Sequence, residues 1–256
     1  MIPGSDTQTE VKELGMTLLN IGAVLMSSGA NTGRIRITIN RIAESFGYKT
    51  ELLISHRTIL LSLHQEGSDE FFSSLKRTSP HGANFKVVSG ISRMSWAVVE
   101  EKWSVEQIRA ELDRLVSLPH YPRWLILVLI GLAGASFCRL NGGDITDMFI
   151  TFTASMVGLF VRQETVKKGF NTYLCIYLAA LAATLVAGLP IKFGIGHEPA
   201  FATSVLFLIP GVPLINAFSD MIDGNLQIGL VRGLNGLILA FAIALGLFTS
   251  FLIYKA

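Results

Sequence analysis

The chain has 256 residues, half of them apolar and 16% charged, with a net charge of +2. So balanced a charge, without a basic tract, argues against a nucleic-acid partner. The charges are uneven: residues 1–123 hold 14 of the 21 Lys and Arg and 13 of the 19 Asp and Glu, which predicts a water-soluble N-terminal half and a membrane C-terminal half.

The opening Met1-Ile2-Pro3-Gly4-Ser5-Asp6 lacks a basic stretch followed by an apolar core. No cleavable signal peptide is expected, so the N-terminal half is expected to stay in the cytoplasm. Val11, Leu14, Leu18, Ile21 and Leu25 recur at helical spacing over about 9–28. Gly29 is a plausible stop for that helix. A second helix carries Ile35, Ile39, Ile42 and Phe46 on one stripe and ends at Gly47. Arg34 and Arg41 share a face of it, which reads first as a solvated face.

Between Glu51 and Ser89 the pattern changes. The runs 52–54, 58–63 and 85–88 read as short strands. The stretches 67–70 and 78–82 between them are rich in turn formers. Two helices close this half, the second opened by the capping box Ser104-x-x-Gln107 and carrying Val105, Ile108, Leu112 and Leu115. The expectation is a small cytoplasmic α+β domain over 1–120.

Pro119 and Pro122 break the chain, and Tyr121, Arg123 and Trp124 suit a headgroup boundary. Five spans are expected in a transmembrane domain over 121–256, at about 124–140, 148–161, 172–189, 199–218 and 228–254. A span needs about 20 apolar residues. Arg123, Arg162, Lys167, Lys168 and Arg232 fall on one side and Arg139, Lys192 and Lys255 on the other. That bias predicts a cytoplasmic N-terminus and a C-terminus in the periplasm or outside the cell. The fold class is therefore a multi-pass α-helical membrane protein of five spans with a small N-terminal cytoplasmic α+β domain.

The fourth span is broken near its middle by Pro210-Gly211-Val212-Pro213. Proline removes a donor and clashes with the preceding turn. In hydrocarbon the freed carbonyls must find partners or line a wet cavity. A new half-helix N-terminus there favours an anion. Asn216, Asp220 and Asp223 follow on one helical face, and Arg232 and Asn235 begin the fifth span. Arg232 is the partner expected for Asp220 or Asp223, and an ion pair closing the loop is the plainer reading for Asp223. Interrupted helices are where secondary transporters bind solutes. The substrate-binding candidates are Pro210, Gly211, Pro213, Asn216, Asp220 and Asn235. Asp220, Asp223 and Arg232 are the candidates for coupling or ion pairing.

Gly131, Gly134, Ala135 and Ser136 in the first span, and Gly229, Gly233, Gly236 and Gly246 in the last, read as packing positions. Arg139 and Asp144 read as a loop ion pair. There is no P-loop, H-E-x-x-H or G-x-S-x-G. Cys138 and Cys175 lie in apolar segments without metal-ligand spacing. His56, His64, His81, His120 and His197 are scattered, so no enzymatic role, metal or cofactor is expected.

With these residues in hand, the chain resembles the threonine/serine exporter family, in its split type with a soluble domain ahead of five spans. The resemblance is carried by Leu25 to Asn31, by Arg36 to Arg41, by Gly82 to Val88 and by the Ser104–Leu115 helix. In the membrane half it is carried by Tyr121 to Leu125, Phe137 to Gly143, and Pro210 to Ala217 with Asp220. Ala217 departs from the glycine that many fused members carry after the asparagine.

The resemblance implies efflux of small hydrophilic metabolites across the bacterial inner membrane: threonine, serine, or dicarboxylates such as succinate. It also implies a second, smaller membrane subunit as partner. The functional expectation is a secondary exporter subunit for small carboxylates, its substrate carboxylate resting on the amides after Pro213. The competing expectation is a membrane-anchored sensor or assembly subunit whose soluble domain binds ligand.

Overall fold

The computed structural model describes residues 5–55, 57–65, 71–78, 82–119 and 121–255. The first helices follow from the periodicity: α1 spans Ser5–Ser27 and α2 spans Thr32–Ser45. Three strands follow, β1 (Lys49–Ser55), β2 (Thr58–His64) and β3 (Phe71–Arg77), paired antiparallel in the order β1-β2-β3. Then come α3 (Phe85–Glu101) and α4 (Val105–Val116).

Alternation decides which face of the sheet is covered. Leu52, Ile54, Ile59, Leu61 and Leu63 are buried in one core with Leu14, Leu18, Ile21 and Leu25 of α1 and Ile35, Ile39 and Ile42 of α2. On the other face Leu53 stands opposite Leu60, and Leu60 opposite Leu75, with Leu53 and Leu75 exposed. Two glycines let α1 approach its neighbours. The Phe72 ring occupies the space a Cβ on Gly15 would need, and a Cβ on Gly22 would lie 2.9 Å from Ile39.

The segment 85–88, expected as a strand, is the first turn of α3. Asn84 caps it, its side chain accepting from the Val87 amide at 3.3 Å, and Val87 and Val88 turn into the core. The capping box at α4 is present in both directions. The turn-forming stretch 67–70, much of 78–82, and His56, His81 and His120 lie outside the described residues.

The membrane half begins with α5 (Arg123–Leu140), α6 (Ile145–Lys167) and α7 (Thr172–Lys192). After these come the short α8 (Glu198–Thr203), a 3₁₀ turn at Leu206–Leu208, α9 (Gly211–Ile222) and the long α10 (Leu226–Lys255). The helices α5, α6, α7 and α10 are long and apolar enough to cross a membrane. A fifth crossing is added if the bent pair Glu198–Leu208 and Gly211–Ile222 counts as one interrupted span.

By its internal contacts the chain forms two compact units, Met1–Pro119 with Val212–Gly233, and His120–Gly211 with Leu234–Ala256. In the first unit Ile228, from the start of α10, joins the core of the sheet and helices. In the second, α7 contributes Ala179, Ala180, Ala183 and Ala187, all fully buried. Small residues face them: a Cβ on Gly158 would lie 2.8 Å from that of Ala183, and one on Gly246 would lie 2.7 Å from that of Ala180. Helices in lipid associate through such close backbone approach, because apolar burial gives little drive there. Large apolar residues point outward instead, among them Phe149, Phe160, Leu237, Phe241 and Phe248.

Candidate functional site

In the first unit, α1 stops because Gly29 adopts φ 87°, a left-handed conformation that glycine takes without a Cβ penalty. The Gly29 amide donates to the Met26 carbonyl at 3.2 Å and the Ala30 amide to the Leu25 carbonyl at 3.0 Å, which closes the helix end. The next stretch to arrive is 82–84. The Gly82 amide donates to the Ser27 carbonyl at 2.9 Å and the Asn84 amide to the Ser28 carbonyl at 3.0 Å.

Helix α9 completes the site. Asn216 donates from Nδ2 to the Gly29 carbonyl at 2.8 Å, and Asn31 donates from its own Nδ2 to Ser219 Oγ at 3.2 Å. The Asp220 carboxylate sits at the N-terminus of α2, where Oδ1 accepts the Thr32 amide at 3.0 Å. Its Oδ2 accepts Arg232 Nη1 at 2.5 Å. One carboxylate thus meets a helix-start amide 188 positions away and a guanidinium 12 positions on.

The electrostatics follow from burial. Asp220 has no exposed side-chain surface and Arg232 has 7%. Two charges removed from water need each other and further hydrogen bonds to offset desolvation. The α2 N-terminus supplies one such bond and a favourable partial positive charge. The Thr32 hydroxyl is buried beside this network without a hydrogen-bond partner among the described residues.

The remaining sequence candidates separate. Asp223 is exposed and makes no ion pair among the described residues; its Oδ2 lies 3.3 Å from where a Gly33 Cβ would stand. Pro213 falls in the first turn of α9, which restarts at Gly211 rather than after Pro213; proline costs no helical bond there. Pro210 is buried, in the break itself. Asn235 belongs to the second unit and accepts from the Tyr173 hydroxyl at 2.8 Å. Thr32 and Gly29 were not candidates. The sequence signal for them was Asn31 before a helical stripe, since a helix start attracts a carboxylate.

A second polar cluster lies in the second unit. Asp144 and Asp147 cap α6 reciprocally, and buried Asp147 also accepts the His197 amide at 2.7 Å and faces His197 Nδ1 at 3.1 Å. Asp144, Asp147 and His197 are close enough to hold a metal ion together, yet both Asp147 oxygens are already occupied by these bonds. Arg139 donates to the Gly143 carbonyl at 3.2 Å, so the expected Arg139–Asp144 ion pair is replaced by a backbone contact and a helix cap.

Comparison with known proteins bears on the whole chain. The family model for threonine/serine exporters, ThrE, matches residues 16–254. A Klebsiella aerogenes protein named "Probable succinate transporter subunit YjjP" is 28% identical over 243 residues, covering 93% of each chain. The Escherichia coli K12 protein of the same name is 29% identical over 240 residues, covering 92% of this chain and 93% of its own. A Haemophilus influenzae protein of unassigned function is 23% identical over 78% of this chain and 77% of its own. No solved structure matches. With a family model matched along almost its entire length, around the residues that build the Asp220 site, the chain belongs to the threonine/serine exporter family.

Proposed function

We propose that this chain is one subunit of a bacterial inner-membrane secondary exporter for small carboxylate metabolites, either a succinate-type dicarboxylate or threonine and serine. It works with a second, smaller membrane subunit of the same family. The observation that carries this reading is the buried Asp220–Arg232 pair, set just beyond the break in an interrupted apolar segment. The names of two relatives that align over nearly their full length support it.

In this reading the N-terminal unit faces the cytoplasm and the C-terminus lies outside it. The pair is one state of a switch. A substrate carboxylate competes with Asp220 for the Arg232 guanidinium, or a proton neutralises Asp220 and frees it. The amides of Val212 and Leu214 at the start of α9 offer the carboxylate its first contact, and Asn216 orients it. Asp220→Asn then abolishes export while the protein remains in the membrane.

The test is extracellular succinate and threonine from cells making this chain, with and without a candidate five-span partner. A solute that accumulates only when both proteins are present supports the split exporter and names its substrate class. No rise in either solute, with both proteins detected in the membrane, sinks this reading.

A further inference from the structure

We propose that the open edge of β3 pairs with the same edge of a second copy of this chain, joining two three-stranded sheets into one across a two-fold axis at Ser73. The register decides which groups that edge presents. The Thr78 amide donates to the Arg57 carbonyl at 2.9 Å, a contact that continues the β2–β3 register beyond the pairing of Thr58 with Arg77. In an antiparallel ladder, residue pairs that exchange hydrogen bonds alternate with pairs that do not. Phe72, Ser74 and Lys76 therefore bond their amides and carbonyls to β2. Those of Phe71, Ser73 and Leu75 point the other way, and no hydrogen bond reaches them among the described residues.

The opposite edge of the sheet is guarded. The same alternation turns the backbone groups of Thr50, Leu52 and Ile54 in β1 outward, and there Arg36 of α2 donates from Nη1 to the Leu52 carbonyl at 3.4 Å. Beside β3, a groove of about 680 Å³ lies open between Phe71 to Ser74 and the Lys12 and Met16 side of α1. Native proteins blunt such edges with charge, proline, bulges or a cover, because unpaired amides and carbonyls recruit another strand. Within β3, charge stands only at the far end, at Lys76 and Arg77, while Phe71 is 73% exposed and Leu75 is 56% exposed.

The strand that fits this edge is β3 itself. Antiparallel pairing about Ser73 sets Phe71 of each copy against Leu75 of the other, on the sheet face that carries Leu53 and Leu60. An apolar cross-strand pair is then made twice, and Ser73 meets its own copy on the axis, as a self-complementary interface requires. Charge selects the orientation. In sequence, β3 is preceded by Asp69-Glu70 and ends in Lys76-Arg77. Parallel copies would set like charges together, whereas antiparallel copies set unlike charges together. Main-chain bonds give such a pairing its affinity, and the Phe71–Leu75 pairs give it its register. Two copies of the first unit are thereby joined without using any residue of the Asp220 site.

The experiment keeps the full chain in native membranes and reads cross-linking by a short bismaleimide, so it does not depend on export. The native Cys138 and Cys175 are buried, and the wild-type chain is the blank. Ser73→Cys is expected to link to its own copy. Phe71→Cys and Leu75→Cys are expected to link when differently tagged copies of each are made together, and at least tenfold less when either is made alone. Adding Ser73→Pro to both copies removes the outward amide but no bond to β2, a substitution that a free strand edge tolerates. It is expected to lower the Phe71–Leu75 link tenfold or more while thermal unfolding changes little. Ser74→Pro, which cuts the ladder to β2, should lower the unfolding temperature instead. Three results overturn the proposal. One is a folded Ser73→Cys chain that does not link, whether its thiol is open to a monofunctional maleimide or shielded by a different polypeptide. Another is equal linking by every combination of positions, which marks random collision. The third is a Phe71–Leu75 link that survives Ser73→Pro.

Discussion

Asp220 and Arg232 meet at 2.5 Å where neither side chain has appreciable access to solvent, and the same carboxylate holds the first amide of α2. One acidic group therefore joins the second half of the interrupted segment to the helices of the N-terminal unit. Removing either partner leaves the other charge buried and alone.

Breaking a buried pair from one side typically costs about 3–5 kcal/mol. Arg232→Met and Asp220→Ala are each expected to lower the thermal midpoint of the detergent-solubilised protein strongly. Asp220→Asn should be milder, because its amide oxygen still accepts the Thr32 amide. The double variant Asp220→Asn/Arg232→Met should recover part of the loss, a non-additivity that a double-mutant cycle measures. Additive effects would mean that the two groups are not coupled in the folded protein.

Gly29 holds φ 87°, and a Cβ there would stand 3.5 Å from the Ala83 backbone. A side chain in the left-handed region costs about 1–2 kcal/mol. Gly29→Ala should destabilise by about that amount, with Gly29→Asn less harmful, since asparagine tolerates this conformation. Gly82, with open space around its Cβ position and no positive φ, is the control. Equal thermal shifts for Gly29→Ala and Gly82→Ala would remove the conformational argument.

A Cβ on Gly246 would lie 2.7 Å from that of Ala180 and 2.9 Å from the Leu181 nitrogen and the Tyr177 oxygen. Backbone atoms cannot move aside cheaply. Gly246→Ala should therefore push α10 from α7 at a cost of about 1–3 kcal/mol, read as a lower unfolding temperature in detergent. An unchanged temperature would show that this helix pair is not closely packed in the folded chain.

The lysine and arginine bias predicts that alkaline phosphatase fused to the C-terminus is active and fused to the N-terminus is not. The reverse pattern would invert the topology of the proposed exporter.

How much of this was readable from the residues depends on the range of the interaction. Local rules sufficed for α1, α2, the Ser104–Gln107 box and the apolar helices, because periodicity and caps are written within a few positions. They failed at Phe85-Lys86-Val87-Val88, where β-branched residues suggest a strand but an Asn84 cap and core burial make a helix. They also missed β3, because Phe71-Phe72-Ser73-Ser74 lacks the alternation that betrays a half-buried strand. Pairing with β2 decides it. The polar residues after the break were visible as a group. Arg232 was legible as a partner for Asp220 or Asp223 and pairs with Asp220; the Thr32 amide was not, since Thr32 and Asp220 are 188 positions apart and nothing in either stretch names the other. Asp223 looks equivalent to Asp220 on a helical wheel, yet only one of the two is buried.

The alanine ladder of α7 has a mechanical meaning. Ala179, Ala180, Ala183 and Ala187 present α6 and α10 with a surface of single methyl groups, and the glycines facing them add none. Bulky side chains interlock like gear teeth, so moving one helix past another means climbing over each tooth. A row of methyl groups against bare backbone is closer to a rail. The close approach that fixes these helices therefore leaves few side-chain rotamers to reset where glycine meets alanine.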